Sequence, residues 1–139
     1  MALKVPSLGE LELLDKLLKD ALSTNEDYIL ALYKDDKTPG DNDAVPASFT
    51  QCDFTNYVVK TLTRAGWTSA VLTNTYAESS YGTVQAWTCG TVGNTVYGYF
   101  VYGSNSNQVL WAERFATARI VAQDDILNIT PKFTLMSES

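Results

Sequence analysis

Tyr97, Tyr99, Phe100, Val101 and Tyr102 crowd into one short run, and no other stretch of the 139 residues constrains the fold as tightly. Gly93 and Asn94 precede the run, Gly103, Ser104, Asn105, Ser106 and Asn107 follow it as a polar tip, and Val109, Leu110, Trp111, Ala112 and Phe115 lead back. Aromatic and β-branched residues on both sides of a turn-forming tip predict a β-hairpin. Tyrosines on both of its faces predict a central strand, so the stretch from Asn94 to Phe115 reads as a centre of stability, with only the tip at Ser104 to Asn107 left to meet solvent or a partner.

Elsewhere the apolar signal comes in short pieces. Tyr28 to Tyr33 is a six-residue run suited to a strand, and Tyr57, Val58, Val59 and Leu62 alternate with threonines within Ser48 to Thr68, which predicts another that ends at Gly66. Ala70, Leu72 and Tyr76, then Val84, Ala86 and Thr88 opposite Gln85, Trp87 and Cys89, continue the alternation. Ile120 and Val121 predict a strand end, Asp124 and Asp125 a turn, and Ile126 to Leu135 a closing strand whose Pro131 belongs at an edge or a bulge. Short strands separated by Gly, Asn and Ser predict a mainly β fold: an antiparallel β-sandwich or a jelly-roll-like domain over 27–136.

One helix is expected, over 7–23. Ser7 with Glu10 makes a capping box, and Leu8, Leu11, Leu14, Leu18 and Leu22 recur at helical spacing, widened by Leu13 and Leu17. Glu12 with Lys16 and Asp15 with Lys19 are opposite charges in the favourable order, each pair worth about 0.2–0.5 kcal/mol, so the leucines must stabilise this amphipathic α-helix by burial. They can bury against their own body or dock on another chain, and Leu11, Leu14, Leu18 and Leu22 are the partner-docking candidates. No repeat, low-complexity segment or linker interrupts the chain, so a single domain spanning 1–139 is expected.

The chemistry-bearing residues are sparse. Histidine is absent, which removes Ser-His and Cys-His nucleophile pairs and the commonest metal ligand. The 16 acidic and 10 basic residues give a net charge of -6, and no basic stripe points to nucleic acid. No apolar run reaches the length of a membrane helix and no signal peptide pattern opens the chain, so cytoplasmic synthesis is expected, with Cys52 and Cys89 as reduced, buried thiols rather than a disulfide. The loop with Asp35, Asp36, Asp41 and Asp43 offers hard oxygen ligands, but its spacing does not match an EF-hand, and a solvated loop is the simpler reading. Glu113, Asp124 and Asp125 are the carboxylates a glycosidase would need; neighbours on a strand face opposite ways, so Glu113 and Arg114 do not share a face. No catalytic residue, cofactor or metal site is assigned. Trp67, Tyr76, Tyr81, Trp87, Tyr97, Tyr99, Tyr102 and Trp111 could furnish a carbohydrate platform, or could be core.

Phrases spread over the whole length carry a resemblance: VPSLGELELLDKLLKDAL from Val5 to Leu22, LALYKDDKTP from Leu30 to Pro39, FTQCDFTNYVVKTL from Phe49 to Leu62, VYGYFV from Val96 to Val101, LWAERF from Leu110 to Phe115 and LNITPKFTL from Leu127 to Leu135. With these the chain resembles a group of small structural proteins of tailed bacteriophages. The resemblance implies a non-enzymatic virion component assembled in the host cytoplasm, foremost a head decoration or cement protein that bridges and stabilises neighbouring capsid subunits. A tail, neck or fibre-associated role is the alternative, with a carbohydrate-binding β-sandwich module as the reading from the aromatics. The implied partners are the major capsid protein or another virion protein and further copies of the chain, with neither nucleic acid nor membrane.

Overall fold

The computed structural model describes residues 3–4, 26–68, 71–73 and 76–136, and within them the chain is mainly β, built from antiparallel sheets. The expected helix over 7–23, with Leu11, Leu14, Leu18 and Leu22, lies outside the described residues. The strands are β1 (Leu3–Lys4), β2 (Tyr28–Tyr33), β3 (Lys60–Leu62), β4 (Val71–Thr73), β5 (Tyr76–Ser80), β6 (Gln85–Thr88), β7 (Asn94–Gly103), β8 (Val109–Val121), β9 (Ile126–Ile129) and β10 (Lys132–Met136). They form a five-stranded sheet in the order β1-β8-β7-β2-β3, a three-stranded sheet β10-β5-β4, and the pair β6-β9.

The aromatic run is the middle of the large sheet. β7 pairs with β8 on one side and with β2 on the other, Ala31 standing opposite Phe100 and Trp111 opposite Val101. Strand alternation sends side chains to both faces, and both are covered. Leu30, Leu32, Tyr99, Val101 and Trp111 join Trp87, Leu127 and Ile129 from β6 and β9 in the larger core cluster, with Phe133 of β10 packed against it. Ala31, Tyr33, Phe100, Val109 and Ala112 form a second cluster on the other face, closed by Phe49 from the loop after β2. Phe49 stacks on Phe100 at 4.5 Å between ring centroids, an arrangement worth about 0.5–1.5 kcal/mol beyond the area it buries.

The hairpin continues beyond Phe115, where the sequence reading ended it. Between the pairs Gly98–Arg114 and Val96–Arg119 the register shifts, so that Phe115, Ala116, Thr117 and Ala118 stand opposite Tyr97 alone, and β8 resumes to Val121. Four residues against one is a large bulge, which bends the strand. Asn107 turns the tip in the left-handed region with φ 56°, a conformation that asparagine accepts readily.

Two expected strands are corrected. Within Ser48 to Thr68 only Lys60–Leu62 is a strand; Pro46–Ser48 and Arg64–Gly66 are single 3-10 turns. The residues between are irregular because their backbone groups bond elsewhere: Cys52 N–H to the Leu32 carbonyl at 3.0 Å, Thr55 N–H to the Val92 carbonyl at 2.9 Å, and Tyr57 N–H to the Phe54 carbonyl across a turn in which Asn56 has φ 73°. The closing strand is two strands, not one. Thr130 and Pro131 separate β9 from β10, which belong to different sheets, and the Pro131 carbonyl accepts the Tyr81 N–H at 2.8 Å. A proline has no donor to give a ladder, so the break falls where the chain changes sheets.

Candidate interaction surface

Among the described residues the sequence-suggested chemical groups are held apart. Arg114 points to the side of Tyr97, stacks over that ring at 5.4 Å and pairs with Asp36 at 2.6 Å, which holds the guanidinium still more firmly protonated. Glu113 faces the other way and accepts the Tyr99 hydroxyl at 2.7 Å. Burial first, and this carboxylate second, push the Tyr99 hydroxyl far above its ordinary pKa. Asp124 and Asp125 sit in the turn after β8, Asp125 accepting the Ala122 N–H at 2.8 Å. The two carboxylates of a glycosidase are not brought together by this arrangement.

The acidic loop is organised by a protein cation. Lys37 Nζ contacts Asp43 Oδ1 at 2.5 Å, donates to the Ser48 carbonyl at 2.8 Å and lies over the Phe49 ring at 4.8 Å. Asp43 also accepts the Gly40 N–H at 2.8 Å, and Asp35 accepts the Thr50 N–H at 3.1 Å. The carboxylates thus fold the loop onto the sheet face, and no group of three His, Cys, Asp or Glu side chains suited to a metal occurs among the described residues.

Every described aromatic ring is buried or half-buried. Trp87 is 2% exposed and Tyr81 8%, so neither can be a sugar platform: the Trp87 indole donates to the Val58 carbonyl at 2.7 Å, and Tyr81 Oη reaches Thr63. Trp67, half-buried, meets Trp111 edge-on at 5.7 Å, and the indole N–H groups of both have no hydrogen-bond partner. Cys52 and Cys89 are both buried and both free, and burial pushes the Cys52 thiol up to about 12.

Among the described residues the large apolar side chains that face outward are aliphatic. Val58, Val71, Val84, Val92, Ile120 and Ile126 are the most exposed large hydrophobic side chains among the described residues. Three of them belong to one end of the molecule, where Val121 pairs with Asn94 and the Cys89 N–H reaches the Asp125 carbonyl. Ile120 is 79% exposed, and Val92 and Ile126 are 63% exposed. Beside them lies an open groove of about 360 Å³ lined by Thr91, Asn94, Thr95, Ile120 and the turn that follows. In the sequence Ile120 reads only as part of a strand end; its exposure is hidden there by the bulge, because period-2 alternation cannot be carried across four extra residues. The docking candidates Leu11, Leu14, Leu18 and Leu22 lie outside the described residues. No model of a known protein family matches the chain, and no curated protein matches it.

Proposed function

We propose that the chain is a non-enzymatic structural component of a tailed-phage virion: a head decoration or cement protein with an antiparallel sandwich body that bridges neighbouring capsid subunits. The observation that carries this reading is the chemistry of the exposed surface. Among the described residues its large apolar side chains are Val and Ile, which suit protein contact, while the described aromatic rings that would stack on sugars are spent on packing. The whole-length resemblance supplies the virion context. A subunit of this kind stabilises a shell by mass action, because it binds the assembled lattice and not the free capsid subunit. Repetition on a symmetric lattice multiplies a modest contact energy.

Mass spectrometry of purified particles tests the reading: peptides of this chain should appear in amounts comparable to the capsid protein, and their absence overturns it. Particles lacking the chain should lose their contents at a lower temperature than complete ones if it acts as cement. Chain recovered with tails instead of heads selects the tail, neck or fibre role. Trp67, half-buried where Tyr81, Trp87 and Trp111 are buried, leaves a carbohydrate-binding module as the second reading. A glycan array with wild type and Trp67→Phe tests that, and an array without any hit removes it.

A further inference from the structure

We propose that the tip of the β7–β8 hairpin is a carboxylate-binding nest which the chain fills with its own Glu26, and that a free carboxylate takes the same place when that side chain is removed. Every main-chain N–H from Gly103 to Val109 has an acceptor, and the acceptors are of two kinds. Most of them shape the turn without the Glu26 carboxylate. The Gly103 N–H reaches the Gln108 carbonyl at 3.0 Å, the Asn107 N–H the Gly103 carbonyl at 3.0 Å and the Gln108 N–H the Ser106 hydroxyl at 3.4 Å. The Ser104 N–H bonds the Asp27 carbonyl at 3.0 Å and the Val109 N–H the Ala44 carbonyl at 2.9 Å, which ties both arms of the tip to the body. What remains is the pair Asn105 and Ser106, whose N–H groups converge on the single oxygen Glu26 Oε2 at 2.7 Å and 2.8 Å.

Successive amides aimed at one point form an anion cradle, and bonds to an ionised acceptor are the stronger kind. Gly103 belongs to the cradle through what it lacks: a Cβ there would collide with the Glu26 carboxyl group and the Ser106 hydroxyl. Because the turn is held by bonds that do not run through the carboxylate, the cradle keeps its shape without it. Glu26 is 4% exposed, yet Ser104 to Asn107 are exposed, so solvent reaches the tip and a small anion can enter from that side. Acetate carries the carbon and oxygen atoms that Glu26→Ala removes, so it matches the site in volume as well as in charge.

The proposal goes beyond the virion reading and does not depend on it. Urea unfolding of wild type and Glu26→Ala in about 0.3 M acetate, against the same concentration of chloride, tests it. The folding equilibrium constant of Glu26→Ala should rise about fourfold more than that of wild type, as a site with a Kd of about 0.1 M requires. Wild type subtracts the general effect of each anion on burial. Glu26→Gln, whose amide fills the space, should show no excess over wild type. If Glu26→Ala is unfolded in chloride, return of the native circular dichroism signal in acetate is the readout. Saturable shifts of the Asn105 and Ser106 amide resonances of the alanine variant should locate the ligand. An alanine chain that responds to acetate no more than wild type overturns the proposal. So does a saturable shift of the same two amides in wild type, since Glu26 would then not be filling the nest.

Discussion

Glu26, buried immediately before β2, accepts the main-chain N–H of Asn105 at 2.7 Å, and the same oxygen takes the N–H of Ser106 at 2.8 Å. A carboxylate 79 residues upstream therefore closes the tip of the central hairpin. The polar tip read from the sequence as free to meet a partner has two of its amides engaged. Gly103 makes room for this, since a Cβ there would meet the Glu26 carboxyl group.

Removing the carboxylate should be costly. Hydrogen bonds to a charged acceptor contribute about 1.5–3 kcal/mol, so Glu26→Ala is expected to destabilise by about that amount, and Glu26→Gln, which keeps one carbonyl oxygen, by less. Urea unfolding followed by fluorescence measures the difference, and amide exchange at Asn105 and Ser106 should accelerate in the alanine variant. Equal midpoints for wild type and Glu26→Ala would show that the brace carries no stability.

Tyr99 and Glu113 pair across β7 and β8 and meet again through their side chains. Glu113 is only half-buried, so water can replace part of what Tyr99→Phe removes, and the expected loss is about 1 kcal/mol. The informative quantity is the coupling in a double-mutant cycle with Glu113→Gln, expected at about 0.5–1.5 kcal/mol. A coupling indistinguishable from zero would mean that the 2.7 Å contact contributes nothing net.

How much of this was legible follows from the range of each signal. β2 was readable to the residue, because Tyr28 to Tyr33 is a local apolar run that ends at charged Lys34 and Asp35. The turn at Asp124 and Asp125 was likewise local, and so was the division of Glu113 and Arg114 between two faces. The irregular path from Cys52 to Val59 was not, because its donors are satisfied by Leu32 and Val92, far away in the chain, while its Thr, Val and Tyr favour strand wherever they stand. Glu26 was missed for the same reason: nothing in its neighbourhood announces a partner at Asn105. Lys37 could have been found, since one lysine among the aspartates of a loop is a local counter-charge.

Alkaline pH should unfold the protein earlier than its charge alone would require. Burial raises the Cys52 thiol from 9.0 to about 12 and raises the hydroxyls of Tyr33, Tyr57 and Tyr99 well above 10.0. These groups keep their protons in the folded chain and lose them in the unfolded one. Their contribution is therefore complete below pH 9.0 and is lost as the pH climbs, first through the window of Cys52 up to about 12 and, from 10.0, through that of the tyrosines. Each fully differential group adds a slope of up to about 1.4 kcal/mol per pH unit. Stability measured by urea between pH 8 and 10 should fall, and fall less steeply in Cys52→Ala. A flat profile across that range would contradict the burial of the thiol.

Gly98 offers the sharpest test of the β7–β8 register. It pairs with Arg114 at the edge of the bulge, and a Cβ on it would run into the Glu113 carbonyl and the Tyr33 hydroxyl. The carbonyl is backbone of the neighbouring strand and cannot turn aside without breaking the ladder, while Tyr33 is wholly buried under Phe49. Gly98→Ala is therefore expected to cost about 1–3 kcal/mol or more, the usual penalty of overpacking a close-packed site. Gly40→Ala is the control, because its Cβ would meet only Asp43 Oδ2 at an ordinary 3.9 Å, and its effect should stay within about 0.5 kcal/mol. Thermal unfolding of the two variants separates the cases: a Gly98→Ala chain as stable as Gly40→Ala would mean that β7 and β8 do not approach as closely as the bulge at Tyr97 requires.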